Sequence, residues 1–302
     1  MSSELVVENK MKGFLMAGIA ALLWGVSGAL VQYLFEEKGI DAGWLVTTRL
    51  LVSGTLFVTY GLMKNGKFHF RIWRNGKDRM DVIIFSVLGM LAVQYTYFIA
   101  IQHSNAATAT VLQYLGPVFI AVYYIIVTRK APNFYESLAL IFAMAGTFLL
   151  VTHGNITNLA ISNGALIWGL LSALTLAFYT IYPIRLLQKY SSVEVVGWSM
   201  LVGGIVFGLF HKPWIVAGTW DINTFVCTAL IILFGTIIPF YIYLSALTII
   251  GAKKASLLAC AEPLSASFIA VIWLGVTYEF LDWMGSLLIV GTILLLSLDK
   301  KK

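Results

Sequence analysis

Glu262 is the residue on which the chemistry of this chain converges. It lies about 12 Å along a helix from Lys254, at 1.5 Å of rise per residue, inside a long apolar run. A carboxyl deep in a hydrocarbon layer is costly and is by default a functional candidate. It precedes Pro263, which has no N–H to donate and therefore frees the carbonyl of Ala259. An acid beside a freed carbonyl at a kink is a candidate proton or cation site. The alternative is a protonated glutamic acid that only ties two helices together. Arg49 is the opposite charge, about 8 Å inside the end of a second run that starts near Trp44. Its guanidinium suits a substrate carboxylate, but snorkelling or a bond to a carbonyl would also satisfy it. A structural or gating role is the expectation for it.

Around these two charges the apolar runs carry many aromatic residues: Trp24, Tyr95, Tyr97, Tyr114, Tyr179, Tyr182, Tyr241 and Tyr243. Beside an acid, aromatic faces can cage an organic cation or stack on an aromatic solute; ordinary packing and interfacial belts are the competing explanation. Gln94 and Gln113 are uncharged amides within runs and suit hydrogen bonding to a solute in a cavity. Pro117, Pro183, Pro239 and Pro263 also lie within runs, where proline is tolerated if neighbours or cavity water satisfy the freed carbonyls. Pro117, Pro239 and Pro263 are expected at gating or structural kinks. Gly204 and Gly208 suit close helix packing. No metal-ligand spacing occurs: Cys227 and Cys260 stand alone in apolar runs, and the four histidines are dispersed at run ends or in loops. Neither a metal nor a cofactor is expected, and no constellation for a membrane-embedded enzyme is visible.

The elements that must position these residues are transmembrane helices. The 302 residues are 60% hydrophobic and 11% charged, less than half the charged share of a soluble domain. A helix crosses the hydrocarbon core in about 20 residues. Ten runs of roughly that length can be marked, at about 13–35, 44–63, 82–102, 105–127, 134–152, 163–187, 195–210, 224–247, 252–274 and 281–298. The first exceeds a signal-peptide core, lacks a small-residue cleavage site and is expected to be retained. With both termini in the cytoplasm, 17 of the 20 basic residues fall in cytoplasmic segments, Lys38 and Lys212 fall outside, and Arg49 lies within a span. That bias orients the chain. It also explains the net charge of +6 without nucleic acid as a partner.

The runs repeat. At a constant offset of 146, Tyr95, Tyr97, Ala100, Ala106, Ala109, Leu112 and Pro117 meet Tyr241, Tyr243, Ala246, Ala252, Ala255, Leu258 and Pro263. Gly116 meets Glu262, so the acid is one-sided. Five spans per half force the second half to enter from the opposite face. The expectation is an all-α membrane protein of ten transmembrane helices, as two inverted five-helix repeats over residues 1–153 and 160–302. A substrate site is then expected near the midplane, between the halves.

The segments LLWGVSGAL, TTRLLVSGTLF, ATATVLQYLGPVFIA and KASLLACAEPLSASFIAVIWLG, in this order and spacing, resemble those of the EamA-type transporters of the drug/metabolite transporter superfamily. The resemblance covers both halves. It implies ten helices, a central cavity and alternating access for metabolites such as amino acids, nucleotide sugars or choline-like amines. The sequence departs from the family's Gly-Glu pair at the ends of the fourth and ninth spans, reading Thr128-Arg129-Lys130 and Gly275-Val276. The expectation is a secondary transporter of a small organic metabolite in the cytoplasmic membrane, coupled to protons through Glu262. The partners are the solute and the lipid bilayer, and the chain is a monomer or homodimer. The alternative is an uncoupled facilitative exchanger or channel.

Overall fold

The computed structural model describes residues 3–66, 70–158, 162–265 and 279–298. Every regular element among them is helical. In an apolar layer the backbone must satisfy its own polar groups, and a helix does so within one segment. Among the described residues, six helices are long and apolar enough to cross a membrane: Lys10–Glu36, Ala42–Lys64, Gly76–Gln102, Thr108–Thr128, Asn163–Leu187 and Ile222–Ala259. Phe134–Leu149, Ser192–Gly208 and Phe280–Leu296 are shorter apolar helices.

Polar caps explain where the helices start. Side chains of Asp41, Asn75, Asn105, Asn133, Ser162, Ser191 and Asp221 each accept from a backbone N–H of the first turn, satisfying donors that a helix start leaves without partners. Asn133 with Glu136 and Ser191 with Glu194 form capping boxes. The first helix starts at Ser3 rather than 13, and later starts also differ from the sequence expectation. The third helix starts at Gly76 rather than 82, because Asn75 caps a turn that carries Asp78 and Asp81. The eleventh helical segment starts at Ser192 rather than 195, again at its cap. The eighth and ninth runs are separated, as expected between 247 and 252, by the non-helical Gly251, whose φ of 78° needs glycine. The ninth run beyond residue 265 lies outside the described residues, as do Gly275, Val276, Lys67 and the three C-terminal lysines.

We name the helices α1 (Ser3–Glu36), α2 (Ala42–Asn65), α3 (Arg71–Arg74), α4 (Gly76–Ile84), α5 (Ala92–Gln102), α6 (Ala106–Gln113), α7 (Gly116–Thr128), α8 (Phe134–Thr152), α9 (Asn163–Ile181), α10 (Ile184–Leu187), α11 (Ser192–Gly208), α12 (Ile222–Ile232), α13 (Ile238–Ala259) and α14 (Phe280–Leu298). The main packing pairs are α2 with α11, α8 with α14, α1 with α13 and α5 with α9. Small residues let the first two pairs approach closely. A Cβ on Gly204 would come 2.9 Å from the Leu51 nitrogen, and one on Gly146 would come 2.8 Å from the Gly285 carbonyl oxygen.

Two kinds of irregularity sit at matching places in the two halves. π-helical turns span Phe85–Leu91, between α4 and α5, and Leu233–Ile237, between α12 and α13. They end 146 residues apart. The α6–α7 helix breaks at Tyr114 and Leu115, ahead of Pro117, and α13 breaks at Cys260 and Ala261, ahead of Pro263. Pro239 stands just after the second π turn, at the start of α13, and Pro183 marks the short break between α9 and α10.

Candidate functional site

The two broken helices meet the cores of α1, α5 and α9 around a shared cavity. Its wall takes Trp24, Ser27, Gly28 and Val31 from α1, Arg49 from α2, and Val93, Gln94, Tyr97 and Phe98 from α5. Gln113 and Tyr114 come from the first break, Leu176 and Tyr179 from α9, Phe240 from the start of α13, and Ala259 and Glu262 from around the second break.

Glu262 is buried, with 7% of its surface exposed. Its Oε2 lies 2.8 Å from the Tyr114 hydroxyl, and the same hydroxyl lies 2.7 Å from the carbonyl oxygen of Ala259. That carbonyl is the one Pro263 leaves without a helical donor. Tyrosine has a single hydroxyl proton, and a carbonyl can only accept. Both contacts are therefore hydrogen bonds at once only when Glu262 is protonated and donates to the tyrosine oxygen. When Glu262 is ionised it competes with Ala259 for the one proton. Tyr97 is the other hydroxyl that interacts with Glu262, and it shares a 2.8 Å bond with Thr110 Oγ1.

Across the cavity, Arg49 Nε donates to Thr236 Oγ1 at 2.7 Å and Nη2 donates to Gly235 O at 3.0 Å. Both acceptors lie on the second π turn, and the guanidinium also stands 4.8 Å from the Phe98 ring centroid. Gln113 Nε2 donates to Ser172 Oγ at 2.7 Å. Gln94 Nε2 donates to Met90 O, whereas its Oε1 is buried without a partner, as is the Tyr179 hydroxyl. Trp24 packs edge-on to Phe240 and against Tyr243.

Of the residues singled out from sequence, Trp24, Arg49, Gln94, Tyr97, Gln113, Tyr114, Tyr179 and Glu262 line this cavity. Four tyrosines stand apart from it. Tyr95 packs against Trp168, Phe207 and His211, and Tyr182 bonds to Asp81. Tyr241 is 38% exposed beside Phe57, and Tyr243 is buried behind Trp24 and Tyr179. The reason is helical geometry: residues two apart point to nearly opposite sides, so only one of Tyr95 and Tyr97 can face the cavity. Ser27, Phe98 and Phe240 also line the wall without having stood out in the sequence. Ser27, Gly28 and Val31 follow Trp24 at i+3, i+4 and i+7, the spacing of one helix face.

Ionic contacts tie the halves together at both ends of the bundle. At one end Lys38 Nζ pairs with Asp221 Oδ2 at 2.7 Å, Thr219 N–H donates to Lys38 O at 2.8 Å, and Trp44 Nε1 donates to Pro213 O at 2.9 Å. The Lys38 ammonium, with the Thr224 N–H, holds the Asp221 carboxyl below the usual carboxylate range. At the other end Arg185 bridges Asp78 and Asp81, Tyr190 donates to Asp78 at 2.8 Å, and Lys253 pairs with Glu136 at 3.2 Å. Basic residues read from sequence only as topology markers are therefore structural partners as well.

A family model described as the EamA-like transporter family matches residues 11–152 and again residues 163–298. The uncharacterized inner membrane transporter YicL of Salmonella typhimurium is 42% identical over 295 residues, which cover 96% of this chain and 97% of that protein. The uncharacterized transporter YwfM of Bacillus subtilis is 23% identical, covering 94% of this chain and 93% of its own. One solved crystal structure superposes with a TM-score of 0.72 over 97% of this chain and 96% of that chain, at 16% identity, a likeness of fold.

Proposed function

From the premise that the chain belongs to the EamA-like transporter family, we propose a secondary transporter that carries a small organic metabolite by alternating access, coupled to protons through Glu262. Membership makes it a multi-pass membrane transporter. The cytoplasmic membrane, cytoplasmic termini and ten spans in two inverted five-helix repeats belong to the proposal. Matching π turns and matching helix breaks 146 residues apart favour the repeats, and the inner-membrane placement named for YicL favours the location. The chain works as a monomer or homodimer, with the solute and the bilayer as its partners.

The single observation that carries the proton coupling is the Tyr114 hydroxyl, shared between Glu262 and Ala259. A carboxyl taken out of water favours its uncharged form. In that form the chain of bonds from Glu262 through Tyr114 to Ala259 is complete and closes the kink at Pro263. Loss of the proton draws Tyr114 toward the carboxylate and releases the Ala259 carbonyl into the cavity. The proton thereby biases the geometry of a broken helix, and the ionic layers at the two ends are the contacts that must open in turn. Arg49 and the kinks at Pro117, Pro239 and Pro263 are positioning elements in this scheme.

Glu262→Gln tests it. The amide resembles the protonated acid in size and can donate to Tyr114, so the variant keeps its fold. In proteoliposomes it loses the pH dependence of uptake or exchange. If the unsubstituted protein transports equally with and without a proton gradient, and Glu262→Gln matches it, the protein is an uncoupled facilitator.

A further inference from the structure

We propose that a second groove, between α7, α8 and α13, binds an anionic phospholipid, with the phosphate on Lys253, Arg129 and Lys130 and one acyl chain along an apolar floor. Pro117, Ile120 and Ala121 of α7, Leu140 of α8 and Leu257 of α13 form the floor. Glu136, Lys253 and Ser256 are its polar members, with Pro132 beside them. Helix directions set its depth. Pro117 lies about 16 Å from the Arg129 end of α7, close to one leaflet of a hydrocarbon core about 30 Å thick. Ile125, one turn beyond Ala121, and Ile141, next to Leu140, are exposed. This side of the bundle therefore faces lipid, and the groove is entered from the bilayer.

Lys253 carries the recognition. An ammonium has three donors. One goes to Glu136 Oε2 at 3.2 Å, and the nitrogen stands 5.2 Å from the Tyr124 ring centroid. The same Glu136 oxygen also accepts the Asn133 N–H of its capping box at 3.3 Å, so that acid is already engaged. A donor of Lys253 remains for a phosphate oxygen. Arg129 and Lys130, just ahead of Pro132, are exposed and make no ion pair among the described residues. The repeat supplies a control. At the 146 offset Pro117, Glu136 and Ser256 correspond to Pro263, Asp282 and Thr110, whereas Lys253, Arg129 and Lys130 correspond to Ala107, Gly275 and Val276. The proline, the acid and the hydroxyl recur and the bases do not, so the fold does not require them. Retention of basic segments on the cytoplasmic side accounts for their sign, but not for a lysine set in the wall of a groove. Basic pockets between membrane helices on that side suit anionic head groups. A bare phosphate would leave the floor uncovered, and a zwitterionic lipid would bring its own cation to a basic rim.

The test adds dioctanoyl phosphatidylglycerol, dioctanoyl phosphatidylcholine or glycerol 3-phosphate to the full chain in neutral detergent. Thermal shift reads binding by mass action, and native mass spectrometry counts retained lipid. Phosphatidylglycerol is expected to raise the midpoint and to bind about tenfold more tightly than phosphatidylcholine, the scale of one charge-assisted hydrogen bond. Glycerol 3-phosphate, a head group without chains, should leave the midpoint unmoved. Lys253→Gln, and separately Arg129→Gln with Lys130→Gln, should bring the preference down to about threefold or less; the exposed pair covers the case in which Lys253→Gln does not fold. Ala121→Phe fills the floor and keeps every charge, so retention of phosphatidylglycerol should be lost, with Ala121→Leu in reserve if the larger side chain prevents folding. Equal binding of the two lipids, a shift by glycerol 3-phosphate equal to that by phosphatidylglycerol, or a preference unchanged by the basic substitutions overturns the proposal. A preference that survives filling of the floor overturns it too, since the bases would then act as a charged surface without a groove.

Discussion

Tyr114 has one hydroxyl proton and two acceptors, so replacing that oxygen tests the coupling without touching a charge. In Tyr114→Phe the Ala259 carbonyl loses its donor in a buried setting, which costs about 1–3 kcal/mol and should lower the unfolding midpoint of the purified protein. Glu262 remains ionisable, so transport is expected to keep a pH dependence but with a displaced midpoint, unlike the flat profile of Glu262→Gln. An unchanged profile would mean that the tyrosine only fills space. At this scale the sequence is legible where a polar group interrupts an apolar run: Glu262, Arg49, Gln94 and Gln113 announce themselves, and Pro263 even names Ala259 as the carbonyl in need of a donor. Tyr114 as that donor is not legible, because the bond joins residues 145 positions apart. Nor can composition separate Tyr97 from Tyr95, since their orientation depends on the rotation of α5 against its neighbours.

The helices follow from patterns that local chemistry controls, and their irregularities only partly do. Caps such as Asn133 and Ser191 are readable because a short polar side chain and a glutamate three residues later mark a helix start. The prolines mark the two breaks. The π turns at Phe85–Leu91 and Leu233–Ile237 have no comparable local signature; each inserts a residue whose cost is offset by tertiary contacts, as in the bonds of Arg49 to Gly235 and Thr236. The clasp between Lys38 and Asp221 is likewise a long-range pair that no spacing predicts. It can be separated from Glu262 by pH. A carboxyl whose value is lowered in the folded state contributes stability above its ordinary value and loses it only as pH falls through the lowered one. The clasp therefore stays formed across the neutral and mildly acidic range, and pH-dependent transport there does not originate in it. Asp221→Asn should loosen this end at every pH, raising maleimide labelling of a cysteine at Gly28 from the Lys38 side, while the pH profile of transport keeps its shape. Gly28 suits the probe because a Cβ there meets only the Tyr97 hydroxyl, at 3.6 Å. Unaltered labelling would remove the clasp from the gate.

Over the whole molecule, one distribution of charge determines which way the bundle sits. Helix directions put Lys38, Asp221, His153 and Asp282 at one end and Asp78, Arg185, Glu136 and Lys253 at the other. Most of the 20 basic residues gather at the second end. Both ends carry ion pairs, so pairing alone does not orient the chain; the excess of lysine and arginine at the second end does, since basic segments are retained on the cytoplasmic side during insertion. The prediction is that the Arg185 end is cytoplasmic. Asn75 would be a poor labelling position, because its side chain caps α4, and the neighbouring exposed Lys77 serves instead. Asn158 lies in a short helical turn between α8 and α9, at the Lys38 end. Cys227 and Cys260 are both buried and give little background. In intact cells an impermeant thiol reagent should modify a cysteine at Asn158 and spare one at Lys77, with the latter reacting only after permeabilisation. Labelling of both from outside would break the alternation on which ten spans depend, and with it the inversion of the second repeat. Labelling of Lys77 alone would keep the repeats but invert the molecule, exchanging the faces to which the Lys38 and Arg185 layers open.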